Sequence, residues 1–78
     1  MKKGDRWSVY TYNQESGTVK ERRTCRLLKD AETVAEMYLK CRDVDAVLVF
    51  DNYRRHDKRT FGYFPMKQIM KLMEARET

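Results

Sequence analysis

Three glycines (Gly4, Gly17 and Gly62), one proline (Pro65), one histidine (His56) and one tryptophan (Trp7) are all that this 78-residue chain holds of those residue types. So few glycines exclude a glycine-rich phosphate loop and a nucleophile elbow. The two cysteines, Cys25 and Cys41, stand sixteen positions apart with no CxxC pair, and together with His56 they make no ligand pattern. A zinc site is therefore excluded, and two buried, reduced thiols are expected. His56, beside Asp57 in a run of charges, reads as a solvated turn residue, which removes the commonest general base. No catalysis and no cofactor are expected. The longest apolar run is five residues, far short of the ~20 that cross a bilayer. Gly4, Asp5 and Arg6 follow Met1, Lys2 and Lys3 where a secretory leader needs apolar residues. A cytoplasmic chain with no membrane partner and no metal is the expectation.

What the chain has in quantity is charge. Seventeen Lys and Arg stand against twelve Asp and Glu, a net +5 with a pI near 9.4, which favours polyanionic partners. Residues 1–30 carry eight positive and four negative charges, residues 31–45 two and four, and residues 46–78 seven and four. Cations thus concentrate on predicted strands and acids on the first predicted helix. With 41% hydrophobic residues the chain can fold as one small domain over residues 1–78, with a flexible start at 1–5 and a frayed end at 75–78.

Alternation of Trp7, Val9 and Thr11 with Ser8, Tyr10 and Tyr12 predicts a strand over residues 6–12, and Asn13 to Gly17 a hairpin turn. A second strand, 18–28, places Lys20, Arg22, Thr24 and Arg26 on one face and Val19, Cys25 and Leu27 on the other. Asp30 is placed to cap a helix with apolar positions at Ala31, Val34, Ala35, Tyr38 and Cys41. Residues 46–53 form a third strand, opening with the run Ala46 to Phe50, and residues 58–64 a fourth. Pro65 suits the start of a last helix in which Met66, Ile69, Met70 and Met73 make the buried stripe.

Strand, strand, helix, repeated once, predicts an α+β domain of ββαββα order with a four-stranded antiparallel sheet. Keeping every neighbour antiparallel leaves the orders 2-1-3-4 and 1-2-4-3. The apolar third strand belongs inside and the basic second strand at an edge, which favours 2-1-3-4. Both helices are expected on one face, leaving the other open.

On that open face Tyr10 and Tyr12 would stand beside Lys20, Arg22 and Arg26, with Arg54, Arg55, Lys58 and Arg59 extending the track from the tip of the second hairpin. Rings that stack bases and cations that follow phosphates are how single-stranded nucleic acid is commonly held. The expectation is a non-enzymatic nucleic-acid-binding domain with those nine residues as its site. The alternative is a protein-binding adaptor or inhibitor, homodimers included, acting through Val47, Val49 and neighbouring rings on an apolar sheet face. Met37, Met66, Met70 and Met73 could form an adaptable recognition surface, though their helical spacing favours core filling. Trp7, Val9 and Tyr10, the Ser16 and Gly17 turn, the basic second strand and the Lys29 to Glu32 helix start loosely resemble the arm-type DNA-binding domains of phage integrases. That resemblance spans residues 6–42 and lacks their third strand. It implies a small sheet that enters a DNA groove, in an accessory protein of a phage or mobile element.

Overall fold

The computed structural model describes residues 5–54 and 57–77. Strands β1 (Trp7–Asn13), β2 (Thr18–Cys25), β3 (Ala46–Asp51) and β4 (Lys58–Phe61) form one antiparallel sheet in the order β2-β1-β3-β4. Helix α1 (Leu28–Leu39) connects β2 to β3, and α2 (Met66–Glu77) follows β4. The α+β class, the ββαββα order and the 2-1-3-4 arrangement are those read from the sequence.

The helices, however, take opposite faces of the sheet. Trp7, Val9, Cys25, Val47 and Val49 pack with Ala31 and Ala35 of α1, while Tyr10, Ala46, Leu48 and Phe50 pack with Phe64, just before α2, and with Ile69 of α2. The reason lies in β3, whose six residues are all buried. Period two divides it into two apolar sets, and helices stacked on one side would leave Leu48, Phe50 and Tyr10 in water. Burying such a side chain is worth roughly 1.5–3 kcal/mol, so three of them approach the whole stability of a chain this size, roughly 4–12 kcal/mol. One helix must therefore serve each face.

The two helices meet the sheet differently. Small Ala31 and Ala35 let the backbone of α1 come close, whereas α2 reaches in with Ile69, Leu72 and Met73. Helix α1 begins at Leu28, two residues before the expected Asp30 cap. Its cap position is Leu27, with no side-chain hydrogen bond, and Asp30 lies instead in the first turn, where a carboxylate suits the helix dipole. Gly62, at φ +78, turns the chain out of β4, and a Cβ there would stand 2.9 Å from the Asp45 carbonyl oxygen. Phe64 then reaches the ring of Tyr12, 5.6 Å between centroids. This turn is what delivers α2 to the second face.

Three further expectations change. Met66 and Met70 are 60% and 53% exposed, and the buried stripe of α2 runs through Ile69, Leu72 and Met73. Met37 is also exposed, so of these four methionines only Met73 fills core. Cys41 is exposed while Cys25 is buried, and both thiols are free.

Candidate nucleic-acid interface

Strand β2 is an edge, and nearly all its side chains face solvent. Its pairing with β1 runs Asn13↔Thr18, Tyr12↔Val19, Thr11↔Lys20 and Tyr10↔Glu21, then resumes at Val9↔Arg23, Ser8↔Thr24 and Trp7↔Cys25. Arg22 is the extra residue of a β-bulge. A bulge sets two residues of one strand against one of the other and reverses the alternation beyond it. Arg22 and Arg23 therefore both lie opposite Val9, on the α1 side, where the Thr11 partner Lys20 also points. The expected single face of Lys20, Arg22, Thr24 and Arg26 is broken, since Thr24 pairs with Ser8 on the α2 side. Val19 and Cys25 likewise separate, joining the α2-side and α1-side cores respectively.

Arg22 is held in place. Its Nε donates to Thr11 Oγ1 at 2.8 Å, its guanidinium lies 5.6 Å from the Tyr38 ring centroid, and its Nη2 is 4.0 Å from Asp43 Oδ2. No hydrogen bond or ion pair engages the side chains of Lys20, Arg23 or Arg26 among the described residues. An exposed edge with a fixed guanidinium flanked by uncommitted cations can bind phosphates by charge and geometry together.

The expected stacking planes are elsewhere. Tyr10 is 4% exposed beneath α2, and Tyr12 is half-buried against Phe64. Neither can receive a base. The rings and cations expected together on one open face thus belong to opposite sides of a sheet that has a helix on each side. The aromatic residue that does stand by the cations is Tyr38, on α1. The apolar face proposed for a protein partner is likewise closed, because Val47 and Val49 lie under α1 with no solvent exposure.

The remaining cations do not extend the β2 set. Lys58 and Arg59 belong to β4, the opposite edge, about 14 Å away across three strand spacings. Lys58 pairs with Phe50 on the α2 side, and Arg59 pairs with Val49 on the α1 side, its Nε 3.5 Å from Glu32 Oε2. Arg54 is exposed in the turn after β3, and Arg26 follows β2 in the bend before α1. Arg55 and His56 lie outside the described residues.

Two residues escaped the sequence reading. Arg23 joins the site only through the bulge, a consequence of pairing register that no local pattern announces. Arg6 reads from the sequence only as the start of a strand, yet it organises the far end of the sheet. Its Nε and Nη2 bind both oxygens of Asp51, at 3.0, 3.2 and 2.9 Å, and its guanidinium lies 5.3 Å from the Trp7 ring and 5.5 Å from that of Tyr53. Asp51 Oδ1 also accepts from the backbone N–H groups of Tyr53 and Arg54, at 2.9 and 3.2 Å. Burial pushes the Asp51 carboxyl up, but the Arg6 bond and the two N–H groups outweigh it and hold it below the ordinary carboxylate value. Burial also raises the Cys25 thiol.

No group of three or more His, Cys, Asp and Glu among the described residues is placed to hold a metal ion, and no described helix is long and apolar enough to cross a membrane. Compared with known protein families, with curated proteins and with solved structures, the chain matches none, and the loose likeness to integrase arm domains has no family match behind it.

Proposed function

We propose that the protein is a non-enzymatic domain that holds nucleic acid by its phosphate backbone, through the β2 edge rather than through an open sheet face. The observation that carries this is the bulge at Arg22, which adds Arg23 to the side that Lys20 and Arg22 share by alternation, on an exposed edge strand. Three cations in that position, with Arg26 beyond them, form a track for phosphates, and the net charge of +5 favours the encounter. Base stacking has no part in this reading, because Tyr10 and Tyr12 belong to the core. Binding should accordingly depend on charge more than on sequence.

The test is a fluorescence titration with random-sequence oligonucleotides at two salt concentrations. Three to four phosphate contacts predict a log–log slope of roughly −2 to −4. Undetectable binding at low salt removes the proposal.

One observation favours a second reading, a protein partner. Tyr63, Met66 and Met70 are 83%, 60% and 53% exposed where the chain enters α2, and an uncovered group of this kind often marks a contact surface. Binding through it would be nearly independent of salt, and light scattering would reveal a homodimer formed this way.

A further inference from the structure

Where the loop after α1 meets the β1–β2 hairpin, a half-enclosed cleft of about 110 Å³ opens between Thr11, Asn13, Ser16, Thr18, Lys20, Arg22 and Asp43. It exists because of register. Thr11 and Asn13 are alternate residues of β1, Lys20 and Thr18 are their partners across the hairpin, and Arg22, two residues beyond Lys20, falls on the same side. The space accommodates several water-sized groups.

Its lining is rich in donors. Arg22 is fixed by Thr11 Oγ1, which accepts from it and keeps its own hydrogen to donate. Ser16 Oγ and Thr18 Oγ1 lie 2.7 Å apart, so one hydroxyl serves the other and the second retains a hydrogen. Asn13 Nδ2 uses one of its two hydrogens on the Asp43 carbonyl. The Lys20 ammonium makes no ion pair among the described residues. Against these stands one acceptor charge, the Asp43 carboxylate, 4.0 Å from Arg22 with its side chain 67% exposed. Two cations and several hydroxyl and amide hydrogens converging on a small cleft suit a tetrahedral oxyanion.

We infer that this cleft takes a terminal phosphate, a monoester at the end of a nucleic-acid strand, seated at the head of the β2 track. The inference rests on the proposed reading of that edge. An internal phosphodiester needs the strand to continue in both directions, but on the hairpin side the adjoining hollow is lined by Glu15, Asp43 and Asp45 against Arg42 alone, which repels a second run of phosphates, whereas the free cations Arg23 and Arg26 lie along and beyond β2. A monoester also carries more charge near neutral pH, its second ionisation lying near pH 6.

Two measurements decide it. Titration with inorganic phosphate, against chloride at matched ionic strength, should shift the amide resonances of Ser16, Thr18 and Lys20 saturably. Thr18→Val should weaken that binding, and Asp43→Asn should tighten it, a gain that a merely structural residue would not give. Oligonucleotides of one sequence carrying a 5′-phosphate, a 3′-phosphate or neither should then differ, a phosphorylated end binding about tenfold more tightly, as one net charge-assisted contact provides. Thr18→Val should abolish that preference, whereas Arg23→Ala should weaken all three ligands alike. Equal binding of the three with intact salt dependence, and amides unmoved by phosphate, overturns the cleft and leaves the edge reading standing. Saturable phosphate shifts with no oligonucleotide binding overturn the assignment to nucleic acid.

Discussion

Arg6 and Asp51 form a bidentate ion pair in which the carboxylate has no solvent exposure and the guanidinium lies near the rings of Trp7 and Tyr53. The pair joins the chain just before β1 to the end of β3, forty-five residues later. Through the N–H groups of Tyr53 and Arg54, Asp51 also sets the first bend of the second hairpin. A small domain with one buried carboxylate so placed acquires a specific acid sensitivity.

Because the Asp51 carboxyl is held below its unfolded value, its stabilisation is fully present above about pH 4 and is lost as pH falls through the lower folded value. Asp51→Asn should cost about 2 kcal/mol at neutral pH in urea denaturation. The gap between the two proteins should narrow as the solution is taken below pH 4. A gap constant down to pH 2 would show that the carboxylate charge contributes nothing.

Two glycines adopt positive φ for different reasons, and substitution separates them. Gly17, at φ +69, has nothing within 4 Å of a built Cβ, so Gly17→Ala should cost only the left-handed strain, ~1 kcal/mol, and Gly17→Asn less. Gly62→Ala adds a 2.9 Å approach to the Asp45 carbonyl and should cost at least ~2 kcal/mol, read as a lower urea midpoint. Equal effects at the two sites would deny the close approach.

Tyr10→Ala should destabilise by about 3 kcal/mol or more, since it empties a space beneath α2. Tyr63→Ala, at the most exposed tyrosine, should stay within about 0.5 kcal/mol of the parent. If Tyr10 tolerates alanine, α2 does not cover that face.

Arg23→Ala should weaken oligonucleotide binding and make the salt slope shallower by roughly 0.7–0.9, one phosphate contact. Arg59→Ala, on the opposite edge and engaged with Glu32, should change the slope little. A reversal of these two effects would move the interface to β4.

The thiols give a simple check on burial. A water-soluble maleimide should modify Cys41 promptly, while Cys25, buried and with its thiol raised, should react only under denaturing conditions.

Strand order was legible because edge and centre differ in composition: β2 is charged along its length, and β3 is apolar at every position from Ala46 to Phe50. The same run is apolar on both faces of β3, yet the expectation from the sequence is one open face, and only the packing of a helix on each side shows what covers both sets. The bulge left no such trace. Val19 and Cys25 are six residues apart while their partners Tyr12 and Trp7 are five apart, so one residue must be accommodated between them. That mismatch exists only once the two strands are laid side by side.

Local pattern therefore determined which segments are strands and helices, how the strands are ordered, and that cations crowd β2, because each depends on neighbours along the chain or on overall polarity. Tertiary structure alone decided which face each helix covers, that Tyr10 and Tyr12 became core, and that Arg23 stands with Lys20 and Arg22 while Lys58 and Arg59 do not. Those outcomes depend on register and on competition for buried area between residues distant in sequence, and a one-residue offset in pairing is enough to send a side chain to the other side of the sheet.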